Sequence, residues 1–220
     1  MLRDFSRIKA LIFDMDGVLF LSSGCHEKAY RETLAAIGIT DFSYSSIAGM
    51  RTDEAMKKIL LLYGRNLDEA EVQTLAANKR KKVLELLAEG GEVAPGSAEL
   101  LARLSRKYRL ALASSASPQT VEFFFRKSGY ADIFEFVLNG SSVISAKPDP
   151  EIYALAVQKL GLELDECVVI EDAVSGVQAA CSAGIPVITI AERRHHEEFA
   201  HLKPIVIVSN VAEIEPFLLP

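Results

Sequence analysis

Two carboxylates stand two residues apart where an apolar run ends: Asp14 and Asp16 in ALIFDMDGVLF, Ala10 to Phe20. In extended chain, residues i and i+2 point the same way, so both acids can face one site. Gly17 lets the backbone turn closely behind them. A second acidic pair, Glu171-Asp172, closes the run VVI. One such pair alone is most simply a solvated loop or a helix cap. Three or four carboxylates aimed at one spot repel each other, and a divalent cation resolves that repulsion. Oxygen donors without His or Cys suit Mg²⁺, which keeps several waters and takes one or two carboxylates plus substrate phosphate. Two further residues could act on an anion beside such an ion. Ser114 ends the run LALA; because Ser117 before Pro118 is the better helix cap, Ser114 is free to donate its hydroxyl. Lys147 in SAKPDPEIY is ordinary by itself, but Pro148 biases it toward extended chain, and beside a metal and an anion it becomes a counter-charge.

The elements that must position these residues are short apolar runs: 10–13, 110–113, 136–138, 168–170, 186–190 and 204–208. Their length and β-branched content predict strands buried on both faces. Helical patterns alternate with them. One stripe carries Leu100, Leu101 and Leu104; another spans Pro150 to Leu160, with Asp149 as N-cap and Gly161 past the end; a third runs from Val174 to Gly184. The alternation predicts an α/β fold, a doubly wound, parallel-sheet Rossmann-like core. In such sheets ligands sit beyond the carboxyl ends of the strands, where several of these runs end in polar groups. Residues 22–91 break the rhythm with helices near 25–37, 53–63 and 68–89 and no strand. The expected organisation is therefore a catalytic core over 1–21 and 92–220 and an inserted helical cap domain over 22–91. Ser22-Ser23-Gly24 and the flexible stop Glu89-Gly90-Gly91 are its two hinges.

The totals limit the function. The chain of 220 residues carries a net charge of -6, which argues against nonspecific binding to nucleic acid or an anionic membrane. No run approaches the roughly 20 apolar residues that span a bilayer. Three cysteines without metal-ligand spacing fit a reducing cytoplasm. The histidines of ERRHHEEFAHL miss the HExxH spacing, since position 200 is Ala, and read as an exposed helix. Neither a GxxxxGK loop nor a GxGxxG fingerprint occurs.

The segments FDMDGVLF, LALASSAS, AKPDPEIY and VVIEDAVSGVQAA together resemble the four motifs of the haloacid dehalogenase-like hydrolase superfamily, in order and spacing across essentially the whole chain. The helical insert resembles the cap of the subgroup that contains β-phosphoglucomutase and small sugar-phosphate phosphatases. The resemblance implies that Asp14 attacks phosphorus to give an aspartyl-phosphate. Asp16 then serves as general acid and afterwards as base. Mg²⁺ is held by the carboxylates of Asp14 and Asp172 and the main-chain carbonyl of Asp16, with Glu171 joining directly or through water. Ser114, its neighbour Ser115 and Lys147 hold the transferring phosphoryl. Dehalogenases and phosphonate-cleaving relatives lack the second aspartate, so Asp16 favours phosphoryl transfer.

In the insert, His26 matches a histidine of β-phosphoglucomutase, Arg51 resembles a cap arginine that could grip a distal phosphate or sugar, and Lys79 could face the substrate. Their bland readings are a half-exposed helix residue, a partner of Asp53 or Glu54, and a solvated run Lys79–Lys82. Ser117 stands where β-phosphoglucomutase has a substrate-contacting lysine. That departure favours an Mg-dependent phosphatase of small phosphate monoesters over a phosphosugar mutase, with a noncatalytic phosphate binder a further alternative. The expected partner is a small phosphorylated metabolite, with monomer as the favoured state.

Overall fold

The six apolar runs become the strands of one parallel sheet. The computed structural model of the chain describes residues 5–66 and 68–219. In chain order the elements are β1 (Ala10–Phe13), β2 (Phe20–Leu21), α1 (Ser23–Ala35), α2 (Thr52–Leu62), α3 (Glu69–Gly90), β3 (Glu92–Val93), α4 (Ser97–Leu104), β4 (Arg109–Ala113), α5 (Pro118–Ser128), β5 (Phe136–Leu138), α6 (Glu151–Leu160), β6 (Cys167–Glu171), α7 (Val174–Ser182), β7 (Val187–Ile190), α8 (His196–Phe199), β8 (Val206–Val208) and α9 (Glu215–Leu218). The large sheet has the order β5-β4-β1-β6-β7-β8, and every pairing in it is parallel. From β1 the chain winds outward through β4 and β5, then returns to β6 on the other side of β1. The strand order therefore switches between β1 and β6, and a crevice opens beyond their carboxyl ends.

Residues along β1 alternate between two cores. Leu11 and Phe13 pack in one cluster with Leu100, Leu104, Val121 and Phe124 of α4 and α5. Ala10 and Ile12 pack in the other with Ile152, Ala156, Val177 and Ala180 of α6 and α7. Burial on both faces explains why the strands are unbroken apolar runs rather than alternating ones. Each large side chain so buried stabilises the fold by about 1.5–3 kcal/mol.

Local chemistry sets the helix ends. Ser117 Oγ accepts the Thr120 N–H at 3.3 Å and starts α5 as expected. Asp68 caps α3 through a reciprocal pair with Glu71, at 2.8 and 2.9 Å, so the helix begins one residue after the predicted start. α6 also begins one residue late. Pro150 takes the N-cap place instead of the first helical position, while Asp149 Oδ1 accepts the Glu151 N–H at 2.9 Å. The histidine segment forms only the four-residue α8 between two 3₁₀ turns.

Helices α1, α2 and α3 occupy the stretch between β2 and β3. They share an apolar core of their own, including Tyr30, Leu34, Ile47, Met56, Ile59, Val72 and Ala76. At its base Ala29, Val83 and Leu87 join the cluster that contains Phe20. β2 and β3 pair antiparallel, Phe20 with Val93 and Leu21 with Glu92, so the chain enters and leaves the helical insert through one short ribbon. At the stop expected over Glu89–Gly91, Glu89 and Gly90 are exposed and Gly91 is packed. Gly90 is the last helical residue, and Gly91 is buried against Phe20 and Leu87. No described helix is long and apolar enough to cross a membrane.

Candidate active site

Asp14 and Asp16 leave the end of β1 with Met15 between them pointing into the core, fully buried. Both acids line a cavity of about 50 Å³ beneath the insert, as the i, i+2 argument requires. The turn that carries them depends on Gly17. Its φ is +83°, and a Cβ there would lie 1.8 Å from Asp172 Oδ2. The glycine thus admits both the left-handed backbone and the close approach of the opposite loop.

Asp172 follows the end of β6, the other flank of the switch point. One carboxylate oxygen each from Asp14, Glu171 and Asp172 lie within 4.8 Å of one another. Burial, then Glu171 and Asp16, push Asp14 up to about 8 in spite of the lowering by Lys147. Burial, followed by Glu171, Asp14 and Asp16, raises Asp172 well above the usual carboxylate range. These groups share too little compensating charge, and oxygen-only donors in that state fit a hard divalent cation.

Lys147 supplies part of that compensation. Its Nζ donates to Asp14 Oδ1 at 2.6 Å, to Glu171 Oε2 at 2.9 Å and to Ala113 O at 3.1 Å, and the side chain is fully buried. Glu171 is saturated. Its Oε2 also accepts the Tyr153 hydroxyl at 2.5 Å, and its Oε1 accepts the N–H groups of Asp172 and Ala173 at 3.2 and 3.1 Å. With both oxygens already accepting two bonds, Glu171 orients Lys147 and the 172–173 backbone from behind the site.

Asp16 has a different environment. Ser22 Oγ donates to its Oδ1 at 2.5 Å, and His26 Nε2 stands 3.4 Å from the same oxygen. Lys79 Nζ is 2.9 Å from His26 Nδ1 and 4.3 Å from the centre of the Tyr30 ring. Burial pushes Asp16 up, but His26, Ser22 and Lys79 outweigh it and hold the carboxyl below its ordinary value. Burial brings Lys79 down to about 7 against the pull of Asp16. Burial and the Lys79 cation lower His26.

Ser114, at the end of β4, and Ser115 both line the cavity. Ser114 Oγ accepts the Ala116 N–H at 3.1 Å. Ser115 Oγ and His26 Nε2 are buried without a hydrogen-bond partner among the described residues. Polar atoms so placed suit a ligand with acceptor oxygens. The insert closes the cavity with Tyr30, Tyr44, Ile47, Met50 and Thr52 beside His26 and Lys79.

Of the residues read from the sequence, Asp14, Asp16, Ser114, Ser115, Asp172, His26 and Lys79 meet around this cavity, with Lys147 bonded to Asp14 from behind and Glu171 bonded to Lys147. Arg51 does not join them. Its guanidinium lies against core carbonyls and against Asp53 and Glu54. In the basic run only Lys79 is buried; Lys81 is exposed and Arg80 and Lys82 are half-buried. Sequence reasoning missed Tyr153, Ser22 and the two insert tyrosines. Tyr153 sits in an apolar helical stripe that hides its hydroxyl, and Ser22 offered only a hinge-like composition.

A profile of the haloacid dehalogenase-like hydrolases matches residues 8–184. The chain is 33% identical over 208 residues to protein CbbY of Rhodobacter capsulatus, covering 88% of this chain and 90% of that one. It is 33% identical over 182 residues to the phosphorylated carbohydrates phosphatase of Thermotoga maritima, covering 81% and 82%. The crystal structure of CbbY from Rhodobacter sphaeroides in complex with phosphate superposes with a TM-score of 0.79 at 30% identity, over 94% of this chain and 96% of that one.

Proposed function

Because the chain belongs to the haloacid dehalogenase-like hydrolases, and is a phosphatase of that family, we propose that it hydrolyses small sugar-phosphate monoesters in two steps through Asp14. The observation that supports this most directly is the cluster of Asp14, Lys147, Glu171 and Asp172 at the switch point, with Asp14 and Asp172 lining a cavity that also holds a serine hydroxyl without a partner among the described residues. Two neighbouring acids with opposite shifts in proton affinity suit a nucleophile and an acid–base group better than a noncatalytic binder.

Asp14 and Asp172 would hold Mg²⁺ together with the main-chain carbonyl of Asp16, and Glu171 adds its charge from the second layer. When bound, the ion neutralises the repulsion between carboxylates and phosphate and lowers the proton affinity of Asp14. Lys147 faces Asp14 from the protein side and stabilises charge on the phosphoryl oxygens, with Ser114 and Ser115 donating hydroxyls. In the first step an oxygen of Asp14 bonds to phosphorus, the ester bond breaks, and the leaving oxygen takes a proton from Asp16. In the second, Asp16 receives a proton from the attacking water, and the Asp14–phosphorus bond breaks.

Asp16 suits both halves. Its low proton affinity makes it a base once the alcohol has left. A phosphate dianion docking beside it is a like charge that raises its affinity and loads the proton needed for the first half. Helices α1–α3 act as a cap that excludes water while the ester bond breaks and readmits it afterwards. Ser117 disfavours the mutase alternative, because its hydroxyl is engaged with Thr120 at the start of α5 and supplies no cation for a second phosphate.

The test is phosphate release from a panel of sugar monophosphates with and without Mg²⁺. An acid-stable label transferred from ³²P-substrate to wild type, and absent from Asp14→Asn, is the expected result. Release that ignores Mg²⁺, or labelling of Asp14→Asn, would refute the mechanism. Rapid conversion of β-glucose 1-phosphate, primed with bisphosphate, to glucose 6-phosphate with little free phosphate would restore the mutase.

A further inference from the structure

Residues 48–54 of the insert rest on two separate loops of the core. Ser175 Oγ, in the first turn of α7, donates to Ala48 O at 2.6 Å. Gly49 has φ +76°, and a Cβ there would lie 2.5 Å from Ser175 Oγ and 2.7 Å from Ala173 Cβ. Side chains other than glycine's hydrogen are excluded from that contact. Arg51 then reaches the second loop. Its Nη1 donates to the carbonyls of Gly140, Val143 and Ile144 at 3.3, 3.1 and 3.0 Å. Its Nε donates to Asp53 and its Nη2 to Glu54, both at 2.9 Å, which fixes the plane of the fork. Glu54 Oε1 also accepts the Ala146 N–H at 3.2 Å. From the opposite side, Glu151 of α6 accepts the N–H groups of Ile144 and Ser145 at 3.0 and 2.8 Å. The loop 140–146 is therefore gripped between the insert and α6, and the next residue is Lys147.

We propose that Arg51 is a positioning residue, a latch that couples seating of the cap to placement of Lys147, and not a clamp on the far end of the substrate. All three of its guanidinium nitrogens are bonded to protein, and it lies outside the set of residues that line the cavity. Three backbone carbonyls and two carboxylates outnumber the three donors of a lysine ammonium, whereas the five N–H groups of the fork reach all of them, with one Nη1 hydrogen shared between carbonyls. The catalytic half of this inference rests on the phosphatase reading; the structural half does not.

Hydrogen exchange of the amides at 144–146 is compared in wild type, Arg51→Ala and Arg51→Lys. The latch requires exchange about tenfold faster or more in both variants, the equivalent of one lost charge-assisted bond. Phosphate release is then measured with p-nitrophenyl phosphate, glucose 6-phosphate and glucose 1,6-bisphosphate. The latch lowers kcat for all three by the same factor, within about threefold, and Arg51→Lys does not restore it. Unchanged exchange at 144–146, or a loss confined to the bisphosphate and rescued by Arg51→Lys, overturns the proposal. Should wild type release phosphate from none of the three, the phosphatase reading falls while the exchange comparison still decides the latch. Arg51→Lys carries the comparison by itself if Arg51→Ala does not fold.

Discussion

Replacing Lys147 with methionine keeps the length and the apolar stem of the side chain and removes only the cation. The ammonium is fully buried, 2.6 Å from Asp14, 2.9 Å from Glu171 and 4.7 Å from the centre of the Tyr153 ring. Its loss leaves Asp14, Glu171 and Asp172 with oxygens within 4.8 Å of one another and no opposing charge beside them. Two unit charges at that spacing would repel by about 3.5 kcal/mol at an effective dielectric of about 20, a cost that the cluster avoids by keeping the proton on Asp14. Breaking a buried pair by removing one partner costs about 3–5 kcal/mol, and here Glu171 loses its cation at 2.9 Å. Against a typical stability of about 5–15 kcal/mol the variant is folded but marginal.

The deficit should depend on pH with a definite sign. Asp14 has its folded value raised to about 8, above the ordinary 3.8, and Lys147 is one of the groups holding it down. Without the lysine it rises further, and the folded variant holds more protons than the unfolded chain over a wider range. Its stability then falls as pH rises through that range. Urea unfolding followed by circular dichroism, with chelator present, should show a deficit of about 3–5 kcal/mol near pH 7 that grows above about pH 8, by about 1.4 kcal/mol per pH unit, where wild-type Asp14 has lost its proton and the variant's has not. A deficit below about 1 kcal/mol near pH 7, or one that shrinks above about pH 8, would refute the electrostatic account of this cluster.

Asp14→Asn should lower phosphate release by at least about a thousandfold. The same variant should melt no lower than wild type, since a buried and repelled carboxylate is gone; normal turnover would remove Asp14 as nucleophile. Without metal, wild-type stability should decline between about pH 4 and about pH 8, because Asp14 holds its proton in the folded state where the unfolded chain has lost it. Added Mg²⁺ should therefore raise the melting temperature more at about pH 8 than at about pH 5, and an equal rise would place the ion elsewhere. Lys79 is lowered to about 7 from 10.5, so the folded state holds fewer protons than the unfolded one between those values and stability grows as pH rises through them. Lys79→Met should abolish that slope in thermal melts, and a slope identical to wild type would mean that the lysine is not desolvated.

The fold was legible because strands buried on both faces need no periodicity to be noticed. Runs such as ALIF and VVI announce themselves by composition, and the acids that end them mark the crevice. Lys147 gained meaning only from that company. What could not be read lies in contacts between distant segments. The carbonyl partners of Arg51 are 89 to 93 residues away and belong to backbone, which carries no residue-specific signal. Tyr153 looks like any member of the α6 stripe, yet its hydroxyl fixes Glu171. β2 and β3 are two residues each, too short for a pattern. α6 starts late because Asp149 caps from one residue further out, a choice between two equivalent N-terminal geometries.

The pairing of β2 with β3 has a consequence for how such a chain can change over generations. Seen from the sheet, residues 22–91 begin and finish at nearly one point, so they amount to an elaborate hairpin tip. Closure entropy grows only with the logarithm of loop length, and additions or deletions there weigh little on the rest. The insert can thus lengthen, shrink or be exchanged whole while the acids at the crevice keep their register.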